Sequence, residues 1–129
     1  MKDRIKIQIE FPINSSTGIL YKCLSTPNGL KGWFADKVLC DEESVFTFFW
    51  KDEHESARLI SQKQNEQIRF QWLVDEGEEY YFEFQLEFQE LSRSVSLIVT
   101  DYVDLDDQEG AMSLWNEQVN VMMRKLGVN

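Results

Sequence analysis

Hydrophobic and polar residues alternate strictly from Arg4 to Phe11, in the order R-I-K-I-Q-I-E-F. Ile5, Ile7, Ile9 and Phe11 share one side and Arg4, Lys6, Gln8 and Glu10 the other, which predicts a strand with one buried face. Pro12 is expected to end it. The period then changes. Asn14, Ser15 and Ser16 are all capable N-caps, and Ile19, Leu20, Cys23 and Leu24 recur at helical spacing. A second short helix follows at once. Thr26 can cap it, Pro27 suits its first position, and Leu30, Trp33 and Phe34 form its apolar face. Helices this short cannot bury themselves against each other, so they are expected to cover the end of a sheet.

From Lys37 to Tyr102 the pattern is that of strands. Residues 37–40 are one short strand, and 44–50 (SVFTFFW) are β-branched and aromatic. The stretch 54–62 (HESARLISQ) alternates less cleanly. In 67–74 (QIRFQWLV), Ile68, Phe70, Trp72 and Val74 oppose Gln67, Arg69, Gln71 and Leu73. In 79–88, Tyr80, Phe82, Phe84, Leu86 and Phe88 share a face, as do Val95, Leu97 and Val99 in 94–103. Short polar connections between these runs predict an antiparallel meander. The last segment, 106–126, is a helix. Asp106, Asp107 and Glu109 suit the start of its dipole, Arg124 and Lys125 its end, and Gly127 its cap. Ala111, Leu114, Trp115, Gln118, Val119, Met122 and Leu126 form the stripe expected to lie on the sheet.

The chain has 129 residues, 43% of them hydrophobic and 13% aromatic, which fits one globular domain with a large core. Its formal charge of −10 disfavours nucleic acid and anionic membrane surfaces as partners. No apolar run is long enough for a membrane span. Cys23 and Cys40 lie in different predicted elements without a CxxC or a histidine cluster, so the expectation is two buried free thiols in a reducing cytoplasm, with no metal site.

The residues "LSTPNGLKGWF" (24–34), "IRFQW" (68–72) and "GAMSLWNEQVNVMMRKL" (110–126) resemble the START-like (SRPBCC) superfamily, over nearly the whole chain. Within it they are most similar to the activators of the ninety-kilodalton heat-shock chaperone's ATPase. The resemblance implies an α+β helix-grip fold: a curved antiparallel sheet of six or seven strands on a long C-terminal helix, with two short helices after the first strand. It also implies an apolar cavity between sheet and helix, which Trp33 and Phe34 would close at one end. The superfamily hosts carriers, cyclases, hydrolases and chaperone cofactors, so function has to be argued from the site.

Isolated candidates for chemistry have simpler structural readings. His54 is the sole histidine and sits in a strand, where a surface position is expected. "DLDDQEG" (104–110) imitates a calcium loop, but Trp115 occupies the place of the bidentate acid. Glu83 and Glu87 alternate with Phe82, Phe84 and Leu86 and should meet solvent, and "DEGEE" (75–79) reads as a solvated hairpin tip. Arg69 should point outward. Arg58 would point inward only if Leu59 did not, and could then pair with a ligand carboxylate.

The aromatic set is the richest feature. Phe46, Phe48, Trp50, Phe70, Trp72, Phe82 and Phe84, with Trp33, Phe34, Met112, Trp115 and Met122, either fill a core or line a pocket for an apolar guest. Gln118 in the inward stripe favours a pocket, since a buried amide needs partners. Tyr102 and Arg58 are candidates for its mouth. The leading expectation is a non-enzymatic domain that binds an apolar or amphipathic small molecule, without cofactor. Alternatives are a protein-interaction module, with a chaperone as partner, and an enzyme of cyclase or hydrolase kind.

Overall fold

A computed structural model describes residues 3–128. Among these residues, seven strands form one antiparallel sheet in the order β1-β7-β6-β5-β4-β3-β2. They are β1 (Arg4–Ile13), β2 (Lys37–Cys40), β3 (Val45–Trp50), β4 (Glu53–Lys63), β5 (Gln67–Trp72), β6 (Phe82–Gln89) and β7 (Ser94–Asp104). All neighbours but β1 and β7 are consecutive in sequence, the meander that the short polar connections predict. Helices α1 (Thr17–Ser25) and α2 (Pro27–Leu30) follow β1, and α3 (Gln108–Leu126) ends the fold.

Local chemistry sets the helix ends. The Ser16 hydroxyl accepts the Ile19 N–H at 3.1 Å, and the Thr26 hydroxyl accepts the Gly29 N–H at 2.9 Å, with Pro27 at the first position of α2. Each cap satisfies a helix N–H that has no carbonyl partner. Gly127 closes α3 in the left-handed region at φ 70°, donating its N–H to the Arg124 carbonyl. The expected start of α3 at Asp106 moves to Gln108, because residues 105–107 form a single 3-10 turn.

Alternation buries Ile7, Phe11, Val95, Leu97, Val99, Phe82, Phe84, Ile68, Phe70, Phe46 and Phe48 along with Leu20, Leu24 and Leu30. On the inner face, α3 packs beside β1 and β7, and α1 beside β5 and β6. The ends of β3 and β5, at Trp50 and Trp72, face an open space beside Leu114 and Gln118 of α3.

Several expectations need correction. Pro12 does not end β1, which runs to Ile13 and pairs Pro12 with Ser96. As the sheet's edge strand, β1 tolerates a residue with no N–H to give. α2 stops at Leu30, and Gly32 turns the chain at φ 92°, so Trp33 and Phe34 enter the core from a turn. β5 ends at Trp72, leaving Val74 82% exposed. Glu83 and Asp75 are buried, not solvated. Arg69 stacks on Tyr81 and, with Gln67, donates to Glu83 on the outer face, while Arg4 pairs with Asp75 at 3.0 Å. Of the two thiols, Cys23 is half-buried and Cys40 is exposed. No helix among the described residues is long and apolar enough to cross a membrane.

Candidate functional site

This open part of the inner face forms a cleft with the first half of α3. Trp50 is the last residue of β3 and lies two positions beyond Phe48, so it keeps the same face. Trp72 ends β5 and pairs with Ala57, again facing inward. Trp115 and Gln118 come from α3, one turn apart, and Leu114 projects at the mouth. The innermost space measures about 160 Å³ and is walled by Phe34, Trp50, Trp72, Phe82, Asp101, Leu114, Trp115 and Gln118. It adjoins two wider, more open spaces. One of about 500 Å³ shares Trp50, Trp72, Leu114 and Gln118. The other, of about 610 Å³, shares Trp72, Asp101 and Leu114 and runs along the start of α3 to Arg4 and Asp75.

The polar atoms of these walls are tied back into the protein. The Phe34 carbonyl accepts both the Trp50 indole N–H at 3.0 Å and the Gln118 amide at 3.1 Å. The Trp115 indole donates to Asp101 Oδ2 at 3.0 Å. These bonds fix ring orientations and leave carbon surface toward the space. The amide predicted to need a partner finds one in backbone.

Charge at the cleft has one prevailing sign. Glu53, Glu55, Asp75, Asp101, Asp104 and Asp107 line it, against Arg4 as the only basic side chain among the described residues. Glu53 and Glu55 belong to the inner face because they pair with Trp50 and Phe48. Asp101 follows Val95, Leu97 and Val99 along β7 and so also points inward. Desolvation pushes its carboxyl above the usual carboxylate value. Bonds from Trp115 and the Tyr102 N–H, and the charge of Arg4, pull it back, while Asp75 adds to the rise.

Because the folded state holds this proton more tightly than the unfolded chain, its stabilising contribution is present at acid pH and is lost as pH rises through the folded value. Urea unfolding of wild type and Asp101→Asn between about pH 7 and about pH 4 should show the difference moving in wild type's favour toward acid. A difference that does not change with pH would mean the carboxyl is not desolvated.

The sequence profile of the START-like superfamily domain matches residues 1–128. The chain belongs to the START-like superfamily. Similar solved structures include protein BfR322 from Bacteroides fragilis, at 38% identity and TM-score 0.68, covering 98% of this chain and 93% of that one. The Aha1 dimer from Colwellia psychrerythraea aligns at TM-score 0.79 and 17% identity, covering 92% of this chain and 93% of that one. Protein MLL2253 from Mesorhizobium loti aligns at TM-score 0.77 and 13% identity, covering 95% and 97%. The last two likenesses are of fold alone. No curated protein matches the sequence significantly.

Within this START-like domain the sequence candidates divide. Phe34, Trp50, Trp72, Trp115 and Gln118 meet at the cleft. Trp33, Phe48, Phe70, Phe84 and Met122 are buried in the core. Met112 is half-buried and lines none of the three spaces. Arg58 points outward, since its neighbours Ala57 and Leu59 pair with the inward Phe46 and Phe70, and it lies 3.7 Å from Glu76. Tyr102 borders the widest space, but its ring packs against Tyr80 and Tyr81 on the outer side. His54 is exposed and stacks on Phe49. Sequence reasoning missed Glu53, Glu55, Asp101 and the role of Leu114. No group of residues able to hold a metal ion occurs among the described residues.

Proposed function

We propose that this START-like domain binds an apolar or amphipathic small molecule in the cleft between β3–β5 and α3, as a non-enzymatic carrier. The observation that carries this reading is the space of about 160 Å³ walled by Phe34, Trp50, Trp72, Phe82 and Trp115, widening past Leu114 to solvent. START-like folds commonly bind hydrophobic ligands, which agrees with it. A guest burying about 200 Å² of apolar surface gains on the order of 5 kcal/mol. Immobilising the guest offsets part of that gain. The wall aromatics are already hydrogen-bonded or packed, so little ordering is left for binding to impose. The likeness to Colwellia Aha1 is at the level of fold and supplies no chaperone partner here.

Leu114 offers the test. It is 54% exposed at the mouth of all three spaces, so a longer side chain there leaves the core untouched. Wild type should enhance the fluorescence of the neutral probe phenylnaphthylamine, and Leu114→Arg should weaken that binding at least about tenfold, or about 1.4 kcal/mol. Native mass spectrometry of the purified protein provides a second readout through copurified small molecules. Equal probe binding by both proteins, or none by either, would remove the cleft from consideration.

A further inference from the structure

We propose that the guest of this cleft is cationic: an ammonium or guanidinium group carried on an apolar or aromatic body. The inference rests on the binding reading above and specifies its ligand class. The aromatic walls come first. Trp50 and Trp72 lie 6.4 Å apart, centroid to centroid, and Trp72 also packs against Phe82 at 4.9 Å. Indole faces attract cations through their quadrupole, and the attraction grows where water is excluded.

The carboxylates then decide the sign. Asp101 lines the innermost space and the widest one, and Glu55 lines both outer spaces. An ammonium seated over the tryptophans therefore has carboxylates on the sheet side of the cleft. Among the described residues the one cation lining the site is already committed: Arg4 lies 3.0 Å from Asp75 and stacks 4.3 Å over Tyr80. A guest carboxylate would meet like charge, with no free basic partner among the described residues, which selects against it. A neutral guest would cover Asp101 further without compensating its charge. A bare divalent ion is a poorer match, because hard cations need several converging oxygens and these walls are mostly carbon. The chain's net charge of −10 adds a long-range field that draws cations in.

The experiment uses three probes with one carbon skeleton: phenylbutylammonium, phenylbutanol and phenylbutanoate. Each is titrated into the full chain while the indole N–H signals of Trp50 and Trp72 are followed by proton–nitrogen NMR. The ammonium should bind at least about tenfold more tightly than the alcohol, with the carboxylate weakest. Its affinity should fall as salt rises, while the alcohol's should not. Glu55→Gln, at an exposed position, should reduce the ammonium's advantage over the alcohol about threefold or more. If the alcohol or carboxylate binds as tightly as the ammonium, or Glu55→Gln leaves the preference intact, the cationic assignment falls and the binding function stands. If none of the three binds, both fall.

Discussion

Replacing Phe34 with alanine should destabilise the protein by about 4 kcal/mol, the middle of the range for aromatic truncations in cores. Phe34 is 5% exposed. Its ring stacks on Phe82 at 5.6 Å and on Trp115 at 5.8 Å, and meets Phe48 edge-on at 4.8 Å. Trp33, Trp50 and Phe84 complete its surroundings. It is thus the residue through which the turn after α2, the sheet and α3 hold together. The Trp50 and Gln118 bonds go to its backbone carbonyl, so alanine keeps them and the loss isolates ring packing. The vacated volume would merge with the inner space of the cleft, so relaxation cannot easily close it. A domain of this size has about 5–15 kcal/mol in all, so the variant should lie near the edge of folding at 37 °C. Phe34→Leu should lose much less. Urea denaturation measures both; a loss under about 1 kcal/mol for alanine would show that the neighbours refill the site.

Element order and strand faces are legible in the sequence because alternation and capping are local. The division of the aromatics between core and cleft is not. Phe48 and Trp50 share one face of β3, and Phe70 and Trp72 one face of β5, so periodicity treats each pair alike. What separates them is how far along each strand the helices extend, a tertiary fact. Phe48 and Phe70 lie beneath cover, whereas Trp50 and Trp72 end their strands at the cleft.

The acids did leave a signal. The untidy alternation of 54–62 arises because Glu55 occupies an inward register position ahead of Ala57 and Leu59. Asp101 likewise interrupts the inward series Val95, Leu97, Val99. A polar residue on an otherwise apolar face marks where the core gives way to a site. Glu83 carries no such mark. Its burial depends on Arg69 and Gln67 reaching it from the neighbouring strand, and that pairing register cannot be read from one strand's pattern.

The corner that brings Trp33 and Phe34 into place should be equally intolerant of a single methyl group. Gly29→Ala is expected to cost about 3 kcal/mol, the upper part of the range for overpacked sites. A Cβ at Gly29 would collide with the Lys22 carbonyl oxygen and lie 2.7 Å from Thr26 Oγ1. The obstacle at Lys22 is backbone, so it cannot swing away. The same carbonyl accepts the Thr26 hydroxyl at 2.8 Å, and Thr26 in turn accepts the Gly29 N–H. The Trp33 indole N–H is shared between the Gly29 and Cys23 carbonyls, at 2.9 and 3.1 Å. Separating α1 from α2 therefore disturbs the cap and the tryptophan anchor together. Gly110→Ala is the matched control: its Cβ meets nothing within 4 Å inside α3. There alanine should add about 0.5–1 kcal/mol through helix propensity. Thermal and urea unfolding of the two variants should therefore move in opposite directions. If Gly29→Ala proves as stable as Gly110→Ala, then the two short helices do not meet backbone to backbone, and Trp33 must be held by something other than this corner.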